Sequence, residues 1–90
     1  MTWRIDFNKR AARELKKLKK TSPQTGLRII RELEEISEME DPRSRGKAMT
    51  GNYAGYWRYR VGDYRIICDI VDKQLLILAL EVGHRREIYR

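Results

Sequence analysis

The chain has 90 residues, which allows one domain with one core and leaves no room for a separate cofactor-binding domain. It is 41% hydrophobic and 37% charged with a formal net charge of +7, the composition of a soluble globular protein with a polyanionic partner, either nucleic acid or an acidic protein. The single cysteine, Cys68, excludes an internal disulfide, and the single histidine, His84, leaves a zinc site short of its usual ligands, so no metal and no cofactor are expected.

The opening residues lack the apolar core of a signal peptide, and no run approaches the ~20 apolar residues of a membrane span. A cytoplasmic protein with no membrane contact is the expectation. Trp3, Ile5 and Phe7 alternate with Thr2, Arg4 and Asp6, the period of a half-buried strand. Asn8 or Asp6 can cap the helix that follows. Ala11, Leu15 and Leu18 form its apolar stripe, and the rest of residues 9–20 is basic, with Glu14 the only acid.

Ser22-Pro23 restarts the chain, Ser as N-cap and Pro at the first helical position. A second helix follows, with Leu27, Ile30, Leu33 and Ile36 expected to face inward. Its far end carries Glu32, Glu34, Glu35, Glu38, Glu40 and Asp41, where carboxylates oppose the helix dipole. A solvated face and a partner surface both account for them. Pro42 ends the helix, and residues 43–55 read as an ordered loop.

Three strands are predicted next, over 56–61, 64–71 and 75–82. Gly62-Asp63 makes a tight turn between the first two, and the second turn lies within 72–74. The order β-α-α-β-β-β predicts an α+β fold in one domain, 1–90. It packs a helical hairpin on one face of a mostly antiparallel four-stranded sheet. Apolar residues at both parities of the later strands predict partial cover on both faces, with Cys68 a buried thiol.

Strand alternation puts Arg58 and Arg60 on one face and Trp57 and Tyr59 on the other, in the core. A two-residue turn at Gly62-Asp63 sets Arg60 across from Arg65, with Tyr56 at the edge of the same face. A bend at Gly83 can return Arg85 and Tyr89 to that face. Like charges side by side repel, so folding alone gives no reason to gather them. Guanidiniums around a concavity suit phosphate, and nearby tyrosines suit a base or a hydroxyl. Lys16, Lys17, Lys19, Lys20, Arg43, Arg45, Lys47, Arg60 and Arg86 are candidates for contact with an RNA backbone. A plain solvated basic surface is the alternative.

The stretch from Tyr56-Trp57-Arg58-Tyr59-Arg60 through Tyr64-Arg65 to Val82-Gly83-His84-Arg85, followed by Tyr89, resembles the C-terminal half of RelE/ParE superfamily toxins. The first half is compatible, and the resemblance spans nearly the whole chain. It implies the toxin of a type II toxin-antitoxin system of the RelE type. Such a toxin is a metal-independent, ribosome-dependent endoribonuclease that cuts mRNA in the ribosomal A site and stops translation. By the same resemblance Arg65 holds the scissile phosphate, Arg85 aids departure of the 5′-oxygen, Tyr89 orients the nucleotide, and Arg58 stands where RelE has a lysine.

A second lysine position of RelE falls on Tyr56, which leaves Tyr56, His84 and Tyr89 as candidates for acid/base work. The implied partners are the 70S ribosome with its mRNA and a cognate RelB-like antitoxin with an acidic segment, bound in a hetero-oligomer. A ParE-like inhibitor of DNA gyrase and a non-catalytic basic RNA-binding module are the alternatives.

Overall fold

A computed structural model describes residues 2–84. The elements are β1 (Arg4–Phe7), α1 (Lys9–Thr21), α2 (Pro23–Ser37), β2 (Lys47–Ala48), β3 (Trp57–Val61), β4 (Tyr64–Val71) and β5 (Leu76–His84). Short 3₁₀ turns at Pro42–Ser44, Gly51–Tyr53 and Asp72–Gln74 fill the connections.

The α+β fold with a helical hairpin on the sheet agrees with expectation. The sheet has five strands rather than four, in the order β1-β5-β4-β3-β2. The additional strand is β2, two residues long and antiparallel to β3, inside the stretch expected to be loop. β1 pairs with β5 in parallel, Arg4 beside Leu76 and Phe7 beside Ala79. All other pairings are antiparallel.

Asn8 caps α1, its side chain accepting from the Ala11 N–H at 2.8 Å. Ser22 alone joins the helices. Its N–H donates to the Leu18 carbonyl at 2.7 Å and its carbonyl accepts from Gly26 at 3.1 Å. The expected hydroxyl cap is absent: with ψ at 75° and both backbone groups committed, Ser22 departs from extended N-cap geometry, and Pro23 begins α2 without it.

The stripe of α2 also differs from expectation. Gly26, Ile29, Leu33 and Ile36 face inward, Ile30 is partly buried, and Leu27 is 46% exposed. Gly26 is the cause. A Cβ there would lie 2.9 Å from Lys19 Cγ and 3.3 Å from Lys19 Cα, so the helices touch at this glycine and its neighbour Leu27 turns outward.

The core lies between hairpin and sheet. Leu15, Leu18, Ile29, Leu33 and Ile36 meet Tyr59, Val61, Ile66, Cys68, Ile70 and Ile77. Burial pushes the Cys68 thiol far up from its ordinary value. Ile67 and Leu76, of the opposite parity, are also buried, so the second face is partly covered as predicted.

The acidic end of α2 has a structural use that the sequence left open. Glu32 and Glu35 hold Arg45, the Glu38 carboxylate accepts from the Thr2 hydroxyl, and Asp41 caps the turn at Pro42 through the Arg43 N–H at 2.9 Å. These carboxylates tie the connection after α2 to the body of the protein.

Candidate functional site: a basic face on the sheet

The site is set by the β3–β4 hairpin. Val61 pairs with Tyr64, so Gly62-Asp63 is a two-residue loop, and Gly62 takes φ +59°. Positive φ at the first loop position only is the pattern of a type II′ turn, which needs its glycine first. Arg60 therefore faces Arg65 directly, and Arg58 faces Ile67. Arg58 and Arg60 lie opposite to Trp57, Tyr59 and Val61.

Tyr59 is 2% exposed and donates its hydroxyl to the Pro42 carbonyl at 2.7 Å, while burial raises its phenol. Trp57 Nε1 donates to the Arg45 carbonyl at 2.6 Å. The two aromatics thus anchor the face from behind, as the alternation predicts.

Arg65 is only 8% exposed, Arg58 is half-buried and Arg60 is exposed. Arg60 Nε donates to the Gly62 carbonyl at 3.3 Å. A concavity of about 310 Å³ opens here, lined by Arg58, Arg60, Arg65, Arg45, Lys47 and one carboxylate, Glu32. Gathering guanidiniums on a sheet costs Coulomb energy that a phosphate oxygen offsets.

Tyr56 precedes β3 at the edge of this face and is 37% exposed. His84 is not brought to it. The register sets His84 across from Tyr64, with ring centroids 5.5 Å apart and edge to face, on the side that also carries Ile66 and Val82. Arg85, Arg86 and Tyr89 lie outside the described residues.

The remaining RNA-contact candidates divide by position. Lys16, Lys17, Lys19 and Lys20 are exposed on α1, across the sheet from the arginine face. Arg43 makes a bidentate pair with Asp72 at 2.9 and 2.8 Å, which raises the guanidinium further and holds the Asp72 carboxyl below the ordinary range. Arg45 is held by Glu32 at 2.9 Å and Glu35 at 2.5 Å. These two arginines are committed to internal carboxylates, whereas Lys47 stands in register with Arg58.

Two residues of this region were not singled out from sequence. Glu81 pairs with Ile67 in register, is 8% exposed, and meets Arg10 at 2.8 Å. Tyr53 hydrogen-bonds Glu81, which raises its phenol. Strand alternation from Ile77 and Ala79 puts residue 81 on the helix side. A bulge removes that parity, because Ile67 pairs with Glu81 while Cys68 pairs with Ala79.

A two-helix hairpin on a twisted sheet with a cluster of arginines on the other face defines a class, and comparison with known proteins agrees. Residues 5–89 match the family described as ParE toxin of type II toxin-antitoxin system, parDE. The chain belongs to the RelE/ParE superfamily of type II toxin-antitoxin toxins. It is 31% identical over 90 residues to Toxin RelG of Mycobacterium tuberculosis, spanning 100% of this chain and 99% of that protein.

Among solved structures, it resembles a chain of the toxin-antitoxin complex RelBE2 from Mycobacterium tuberculosis with a TM-score of 0.81 and 27% identity, over 94% of this chain and 93% of that one. A chain of the intact RelBE complex of E. coli shares the fold at a TM-score of 0.71 and 18% identity, over 91% and 95%.

Proposed function

We propose that this toxin is a ribosome-dependent endoribonuclease that cuts mRNA in the A site and so inhibits translation. The observation that carries the reading is the nearly buried Arg65 facing Arg60 beside Arg58, over a concavity of about 310 Å³. The reaction is attack of a ribose 2′-OH on its own 3′-phosphate. The O2′–P bond forms, the P–O5′ bond breaks, and the products are a 2′,3′-cyclic phosphate and a 5′-OH.

The nucleophile is internal, so the protein must supply in-line geometry, cationic stabilisation and proton transfer. Arg58 and Arg65 stabilise the phosphorane-like state, Arg85 acts at the leaving oxygen and Tyr89 orients the nucleotide. A face of arginines and tyrosines is poor in acid/base groups, because arginine is almost never deprotonated. That poverty fits a substrate positioned by the ribosome. The solved relatives are complexes of toxin with antitoxin, which supports a RelB-like antitoxin partner whose acidic segment meets the +7 chain in the cytoplasm.

The test is purified toxin added to programmed ribosomes, with mRNA ends mapped by primer extension. Cuts are expected in the A-site codon only, and none on naked mRNA. Arg65→Ala and Arg85→Ala each lower the rate by roughly 10²–10³, as expected for loss of one preorganised charge donor. Near-wild-type cutting by both variants sinks the site assignment. The match to a family described as ParE favours gyrase as the second reading. If a folded toxin makes no cuts, inhibition in a supercoiling assay supports that reading instead.

A further inference from the structure

The two-residue strand β2 is held in place more firmly than its length requires. Glu32 and Glu35 from the acidic end of α2 grip Arg45. The Arg45 carbonyl accepts from Trp57 Nε1 at 2.6 Å. Gly46 follows with φ +78°, its backbone pressed onto β3: a Cβ there would overlap the Arg58 carbonyl oxygen and lie 2.7 Å from Trp57 Nε1.

The next residue is Lys47, which this seating sets directly across from Arg58 on the face that also carries Arg65. Arg45 is neutralised by its two carboxylates. Among the described residues no carboxylate lies within ion-pair distance of Lys47 or Arg60. Arg45-Gly46-Lys47 is thus an anchor, a close crossing and a presented charge. β2 lies one strand beyond β3, roughly 10 Å from β4 at the usual strand spacing. The backbones of Lys47 and Arg65 thus stand far enough apart, along one concavity, for each side chain to hold its own anion.

We propose that Lys47 holds an RNA backbone phosphate adjacent to the scissile one, so that the basic face grips two phosphates of one strand. The assignment rests on the nuclease reading above. A strand of RNA lying across β4, β3 and β2 meets Arg65, Arg58 and Lys47 in turn, each on the same side of the sheet. The ammonium is a compact donor suited to one phosphate oxygen. Arg45 acts through Lys47 and is a positioning residue.

The experiment compares wild type, Lys47→Gln and Lys47→Arg by two measurements. The first is fluorescence anisotropy of a 2′-O-methyl RNA trinucleotide, which cannot be cut, over a range of salt. The second is cleavage on programmed ribosomes. Loss of one phosphate contact is expected to weaken trinucleotide binding about tenfold and to flatten the slope of log K against log salt by about 0.7. Lys47→Arg keeps the charge and restores both.

An unchanged slope in Lys47→Gln overturns the proposal. So does a Lys47→Gln protein that binds the trinucleotide normally but loses affinity for a polyglutamate peptide, since the residue then serves an acidic protein. Wild type that cuts nothing on ribosomes, with the Lys47-dependent slope intact, overturns the nuclease reading and leaves the phosphate site standing.

Discussion

Gly46→Ala tests whether the seat of β2 on β3 is built as described. Two costs add. At φ +78° an alanine takes a left-handed conformation at about 1 kcal/mol. Its Cβ also meets the Arg58 carbonyl oxygen, Trp57 Nε1 at 2.7 Å and Tyr59 Cδ1 at 2.9 Å. The first is backbone in the middle of a sheet and cannot yield, so the loop must lift. Lifting breaks the hydrogen bond from Trp57 to Arg45 and leaves a half-buried indole N–H without its acceptor, a further cost of about 1–2 kcal/mol.

The sum is roughly 2–3 kcal/mol, a large share of the 5–15 kcal/mol of a typical domain. Urea unfolding followed by far-UV circular dichroism reads it directly. With a slope of about 1 kcal/mol per molar for a chain this short, the midpoint falls by about 2–3 M. Gly46→Asn separates the two costs, because Asn tolerates a left-handed backbone but carries the same Cβ. It is expected to recover only the first part, about 1 kcal/mol. A Gly46→Ala midpoint shift worth less than about 0.5 kcal/mol, the scatter of ordinary surface changes, would refute the close crossing.

Tyr59→Phe removes the donor to the Pro42 carbonyl while leaving the ring in the core, and is expected to cost about 1–2 kcal/mol by the same urea titration. Asp72 supplies a pH test. The hydrogen bond from Arg43 lowers its folded value below the unfolded one. Its stabilising contribution is therefore present above the ordinary carboxylate range near pH ~3.9 and lost as pH falls through the lower, folded value. Stability of Asp72→Asn should fall less steeply than that of wild type below about pH 4; parallel curves count against the pairing.

The arginine face was legible because few variables set it. A two-residue loop at Gly62-Asp63 fixes the hairpin register, and alternation then assigns Arg58, Arg60 and Arg65 to one side. The stripe of α1 was legible for the same reason: its apolar residues are few and evenly spaced. α2 was harder, since Leu27, Ile29 and Ile30 offer overlapping stripes. The choice among them rests on the contact of Gly26 with Lys19, a tertiary event.

β2 has only two residues, and nothing in Lys47-Ala48 carries strand periodicity. Its place depends on Arg45 reaching two glutamates on another element. Glu81 escaped notice because simple alternation from Ile77 and Ala79 does not reach its true side: a bulge between the Ile67 and Cys68 pairings resets the parity. For His84, the return to the arginine face inferred for the residues after it did not apply, since β5 continues through it and keeps its side chain beside Tyr64.

The parallel pairing of β1 with β5 bears on the order in which the protein is made. β1 leaves the ribosome well before β5 during synthesis, since its partner residues, Leu76 to Ala79, come more than 70 positions later. The intervening helices and hairpin can form early from local contacts, but the sheet closes only when nearly the whole chain is out. The β3–β4 hairpin that carries the arginines is local and can form first, so the pairing that waits longest lies at the opposite edge of the sheet from β2.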